Sequence, residues 1–170
     1  GMNDLPKASQ AFMGVAEFDP DYTTSFTAKL ENIEIMSKSH KYDEALNRLN
    51  AFLDDGKNAE NYSKIHLQIG NIYLAQNRID DAIAKFGYLD TSFARTEEAA
   101  KAYFELGKIY ETLQGNYSLA RTNFDKARME FHSSDITAEA AQKADAFSKY
   151  FALRSDLKKY DSLIVDLRGR

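Results

Sequence analysis

The sequence predicts an all-α protein built as a solenoid of antiparallel helix pairs, and three observations carry that prediction. Ile69-Gly70-Asn71-Ile72-Tyr73 returns as Leu106-Gly107-Lys108-Ile109-Tyr110, and an Ala-x-x-x-Phe helix follows each block, Ala82 with Phe86 and Ala120 with Phe124. The glycines and tyrosines are 37 positions apart and the Ala/Phe pairs 38, so the second copy has one residue inserted in its turn. A weaker copy lies upstream: Ala45 and Leu49 precede Ala82 and Phe86 by 37 positions, although Ile33 and Met36 stand where Gly and Tyr would fall. Periods of this size mark helical repeats, in which each pair buries its apolar face by stacking on its neighbours. No stretch shows the apolar alternation of a strand.

The elements follow in order. Residues 1–20 hold both prolines, Pro6 and Pro20, around Ala11, Phe12, Met13 and Val15, and read as an N-terminal arm or partial helix outside the repeats. Leu5, Phe12, Met13 and Val15 would stack on preceding repeats if the chain is one stretch of a longer solenoid. Repeats occupy 21–134, divided near 21–57, 58–95 and 96–134. Asp19-Pro20 is a helix-start signal, since proline is tolerated in a first turn. Phe26, Leu30, Ile33 and Met36 recur at helical spacing up to a polar break at 37–41. Tyr42, Ala45, Leu49 and Phe52 then form the returning helix, closed by Asp54-Asp55-Gly56-Lys57. The second pair runs from about Ala59 to Gln76 and from Ile79 to Leu89, turning at Asn77-Arg78. The third runs from about Thr96 to Leu113 and from Tyr117 to Phe131, turning at Gly115-Asn116, residues that tolerate positive φ. Short turns make paired helices antiparallel neighbours.

From Ile136 onward no glycine or proline intervenes before Gly169. Region 135–170 therefore reads as one long helix with Ala140, Ala144, Phe147, Phe151, Leu157, Tyr160, Ile164 and Leu167 on its stripe, broken near Arg154-Ser155 and without a strict heptad. The expected role is a cap on the last repeat, which an open-ended stack needs. The alternative is a structural protein that self-associates, as a homodimer, through this helix.

Composition narrows the function. A chain of 170 residues with 44% hydrophobic residues is expected to form one compact unit. A net charge of -4 with 28% charged residues supplies no basic excess for phosphates, so nucleic acid is not an expected partner. The lack of cysteine removes disulfides, thiol catalysis and cysteine-ligated zinc. No apolar run approaches the roughly 18 residues of a membrane span, and no charged-then-apolar leader opens the chain. Gly1 before Met2 reads as a tag remnant. As it stands the sequence reads as cytoplasmic, and as periplasmic or envelope-associated if a leader preceded it. His40, His66 and His132 are scattered, so neither a metal nor a cofactor is expected, and there is no glycine-rich phosphate loop. Carboxylate pairs such as Asp80-Asp81 and Glu97-Glu98 fall at helix starts, where negative charge is favourable. No enzyme is expected.

In the second pair Ile69, Gly70, Tyr73, Ala82 and Phe86, and in the third Tyr103, Leu106, Gly107, Tyr110, Ala120, Phe124 and Ala127, follow one pattern. That pattern resembles the tetratricopeptide repeat family. His66 and Leu89 depart from it. Small residues let helices cross closely and aromatics fill the space between, so these positions are structural. Between repeats, Phe86-x-x-Leu89 with Thr91-Ser92-Phe93-Ala94 and Ala99-Ala100 returns as Phe124-x-x-Ala127 with Phe131-His132-Ser133-Ser134, Ala138 and Ala140-Ala141. This wording is similar to bacterial cell-envelope repeat proteins of the outer-membrane-assembly lipoprotein and Tol-Pal-associated types. The spacer lacks their usual proline, and the chain lacks a lipoprotein cysteine. The resemblance implies a right-handed solenoid that binds proteins or peptides without chemistry, on a concave face lined by the first helix of each pair.

By that register the face would present Lys64, Leu67, Asn71 and Leu74, then Lys101, Phe104, Lys108 and Glu111. The expected partner-binding residues are Lys64, Asn71, Lys101, Phe104 and Lys108, with an exposed Phe104 as apolar anchor for an acidic or C-terminal peptide; the alternative is that Phe104 packs under the preceding helix and the lysines are ordinary solvated charges. Leu67 and Glu105 occupy positions that a carboxylate-clamping subclass would give to polar and basic groups, which argues against that ligand.

Overall fold

The computed structural model describes residues 5–17 and 21–168, and these are all-α, ending in a long helix. Its helices are α1 (Leu5–Glu17), α2 (Tyr22–Lys38), α3 (Tyr42–Asp54), α4 (Tyr62–Ala75), α5 (Ile79–Ser92), α6 (Glu97–Thr112), α7 (Tyr117–Glu130) and α8 (Thr137–Arg168), with a 3-10 helix at Gly56–Asn61. Among the described residues no helix is long and apolar enough to cross a membrane. Instead of one compact unit, the chain forms two, Gly1–Lys85 and Phe86–Arg170. In a repeat protein each helix packs only on its sequence neighbours, whereas a globular domain ties distant segments together, so a repeat chain divides easily along its length.

In the first unit α1 forms a full helix, with Pro6 in the first turn, where a missing N–H costs nothing. It lies along α2, and Ser9 donates to the buried amide oxygen of Asn32 at 2.5 Å. Asp19-Pro20 and the side chain of Val15 lie outside the described residues. Asp21 caps the start of α2, its carboxylate accepting from the Thr24 N–H at 2.8 Å and held below its ordinary pKa chiefly by that bond. Phe26, Ile33, Met36, Ala45, Leu49, Ile65, Ile69 and Ile72 form the core of this unit. The Ile33 and Met36 of the degenerate repeat are therefore packing residues. Asp54-Asp55-Gly56-Lys57 closes α3 into the 3-10 helix, so α4 starts at Tyr62 and not near Ala59.

In the second unit Thr96 caps α6, accepting from the Ala99 N–H at 3.2 Å, and Asn116 caps α7, accepting from the Leu119 N–H at 3.1 Å. Gly107 of α6 lies directly against the fully buried ring of Phe124 in α7. The first half of α8 closes the other side. Ala140 and Ala144 are fully buried, and Phe147 stacks on Phe124 with ring centroids 6.2 Å apart. Lys143 binds Glu111 at 2.7 Å and Arg128 binds Asp145 at 3.2 Å. Ala144 and Phe147 stand 37 positions beyond Gly107 and Tyr110, so this half of α8 is the first helix of a fourth pair. Positions 150–155 hold no glycine, asparagine or proline to make the turn, and the helix continues; residues 152–168 are all exposed.

His40, Asn77 and Gly115 each have φ near +60°, at 61°, 58° and 61°. They follow α2, α4 and α6 and are 37 and 38 positions apart, the repeat's own spacing. Glycine is at ease there, and asparagine and histidine tolerate it better than most residues.

Candidate functional site

On α4, Lys64 and Asn71 are seven residues, about two turns, apart and therefore share a face with Leu67 and Leu74. Lys64 is exposed, while Leu67, Asn71 and Leu74 are half-buried. On another side of α4 His66 is buried, with Lys85 Nζ 3.5 Å from Nδ1. Burial first, and the Lys85 charge second, push the His66 pKa from 6.5 down to about 4, so the imidazole is neutral at neutral pH. Burial also lowers the Lys85 ammonium.

On α6, Lys101 and Lys108 repeat that two-turn spacing, but both are in ion pairs. Lys101 lies 2.9 Å from Glu97 and 3.6 Å from Asp135, and Lys108 lies 2.6 Å from Glu105. The carboxylates hold Lys101 above its ordinary pKa, Glu97 contributing most. Phe104 is not the exposed anchor the register suggested. It is 5% exposed, packs edge-on against Phe124 at 5.5 Å, and has Lys108 over its ring at 5.2 Å. The physical reason is that Gly107, one turn along the same helix face, lets the Phe124 ring come directly against α6, where it meets and covers the Phe104 ring.

The sequence reading missed a polar cluster and an aromatic cavity. Tyr103, buried on α6, donates to Asp90, and Lys126 from α7 lies 3.3 Å from the phenol oxygen, 4.7 Å from the ring centroid and 3.6 Å from Asp90. Burial and the Asp90 carboxylate raise the Tyr103 pKa well above the ordinary phenol value. Such a neutral, donating tyrosine is a strut between three helices. Near the end of the packed half of α8, Tyr117, Phe147 and Tyr150 line an open cavity of about 450 Å³, rimmed by Glu111 and Lys143. Tyr117 stacks on Phe147 at 5.6 Å and meets Tyr150 edge-on at 5.9 Å. The only sequence signal for it is four aromatics at 117, 147, 150 and 151, legible once α7 and α8 are known to be neighbours.

The tetratricopeptide repeat family profile matches residues 37–90 and 67–136, which together span α3 through α7 and more than half of the chain. The chain is a tetratricopeptide repeat protein. No curated protein and no solved structure matches it. Tetratricopeptide repeats mediate protein–protein interactions and are typically non-catalytic, and their partners are proteins or peptides. In this tetratricopeptide repeat protein the family's small and aromatic positions are occupied by buried packing residues: Ala82, Phe86, Ala120 and Phe124 are fully buried and Gly107 admits the Phe124 ring.

Proposed function

We propose that this protein is a non-catalytic adaptor that binds a peptide or protein partner through the outward faces of its first helices, α4 in one unit and α6 in the other. The family match over α3 to α7 is the observation that carries this reading. The chemistry of each face refines it. The α4 face offers an exposed ammonium, Lys64, and an amide, Asn71, interleaved with half-buried Leu67 and Leu74, a surface suited to a segment with apolar side chains and an acceptor group. The α6 face offers Lys101 and Lys108 already neutralised by Glu97, Glu105 and Asp135. It suits a partner that presents charges of both signs, and with Phe104 buried it supplies register more than affinity. A bacterial envelope setting has thinner support, because the Thr91-Ser92 segment of the spacer that suggested it is the last turn of α5 and not an extended loop.

The test is selection of displayed random peptides on the full chain, followed by calorimetric titration of the winners. Lys64→Glu with Asn71→Ala, or Lys101→Glu with Lys108→Glu, is expected to weaken binding about tenfold, the scale of losing one or two charge-assisted contacts. Arg121→Glu, on the exposed side of α7, should leave it unchanged. Peptides that ignore all four face substitutions would contradict the assignment.

A further inference from the structure

The far half of α8 has no role in either unit's core. Beyond the cap residues Ala140, Ala144 and Phe147, and apart from exposed Leu163 and Val165, which lie off the line, Leu153, Leu157, Tyr160, Ile164 and Leu167 stand at intervals of four, three, four and three. They are 46–72% exposed. A seam repeating every seven residues along one helix is buried by a second helix, through knobs-into-holes packing. The apparent break at Arg154-Ser155 is the place where one stripe ends and this one, on a different face, begins.

We infer that this seam pairs with the same seam of a second copy of the chain, and that the two helices run antiparallel. Charge decides the direction. Arg154 and Asp161 flank one edge of the seam, Lys149 and Asp156 the other. In a parallel, in-register pair the flanking contacts bring Lys149 to Arg154 of the second copy and Asp156 to Asp161, like charge to like charge on both sides of the coil. In the antiparallel pair the seam layers are Leu157 with Tyr160, Leu153 with Ile164, and Tyr150 with Leu167. Arg154 then faces Asp161 of the second copy, twice by symmetry. The same register brings the apolar tip, Leu167, to Tyr150, which borders the cavity of about 450 Å³ lined by Tyr117 and Phe147. One arrangement thus covers the seam, pairs the charges and gives the cavity an apolar neighbour. It stands independently of the partner faces on α4 and α6.

The experiment is light scattering and sedimentation of the full 170-residue protein over a wide micromolar range. A dimer is expected. Arg154→Glu should raise its dissociation constant about tenfold, Asp161→Arg likewise, and the double swap should restore it, since two symmetric contacts change from attraction to repulsion and back. Leu157→Asp with Ile164→Asp should give a monomer with unchanged helicity. A monomer at every concentration would overturn the inference and leave the seam to a helix from another protein. Tighter association of the Arg154→Glu variant would overturn it in favour of parallel pairing, and unfolding of the Leu157→Asp/Ile164→Asp variant would show that the seam belongs to this chain's own core.

Discussion

A Cβ added to Gly107 would lie 2.6 Å from the Cε1 of Phe124, closer than real side-chain carbons approach. The ring has no room to retreat, because it is fully buried and flanked by Phe104 at 5.5 Å and Phe147 at 6.2 Å. Gly107→Ala is therefore expected to destabilise the second unit by about 1–3 kcal/mol, the cost of overpacking a tight core. Adding Phe124→Leu should return part of that loss, although Phe124→Leu alone destabilises. Urea unfolding of the three variants measures the coupling.

The left-handed residues that follow α2, α4 and α6 make a second prediction. Gly115→Val and Asn77→Val place a β-branched residue at φ near +60° and should each cost about 1–2 kcal/mol. His40→Gly should be neutral or stabilising by about 0.5 kcal/mol, since it relieves the same strain and gives up one exposed contact with Tyr42. Thermal unfolding of the three variants checks whether the degenerate first repeat turns as the other two do.

His66 sets a pH dependence. Its pKa is about 4 in the fold against 6.5 when unperturbed, so below pH 6.5 the unfolded chain takes up a proton that the folded one refuses. Stability is full above that range and falls as pH drops from about 6.5 towards 4, by on the order of 2 kcal/mol once solvent screening is allowed for. Denaturation at a series of pH values should show this fall, and His66→Gln should flatten it.

Tyr103 tests the strut between α5, α6 and α7. Removing its hydroxyl by Tyr103→Phe should cost about 1–2 kcal/mol, a charge-assisted hydrogen bond to Asp90. In an ultraviolet titration of the folded protein, Tyr103 should ionise well above the ordinary phenol range.

Much of this architecture was legible because packing residues repeat. Gly107, Ala120 and Phe124 could be assigned to a close crossing from the family pattern they resemble, and the structure sets Gly107 directly against the Phe124 ring. Legibility failed where position and environment part company. The family register put Phe104 on the outward face, but the Phe124 ring that Gly107 admits covers it, and Phe124 comes from the next helix, 20 positions further along the chain. Thr91 and Ser92 look like loop residues and are exposed, yet α5 runs through them beyond the fully buried Leu89, and the Phe93 N–H bonds the Leu89 carbonyl at 3.0 Å. The fourth first helix was written in the sequence, since Ala144 and Phe147 continue the 37-residue spacing of Gly107 and Tyr110. It went unread because the turn that defines a pair is missing after it, and two stripes on different faces of α8 merged into one irregular pattern.

The central claim is that α8 has two jobs: its first half completes the repeat packing, and its second half is free to pair. Thermal unfolding with light scattering, run on the full chain and on versions ending at Ala152 and at Ser134, tests it most directly. The version ending at Ala152 should be a monomer that unfolds within a few degrees of the full chain, and the version ending at Ser134, with Phe124 uncovered, should unfold far earlier. If truncation at Ala152 destabilises the fold as much as truncation at Ser134, or if the Ser134 version is as stable as the full chain, the division of α8 is wrong.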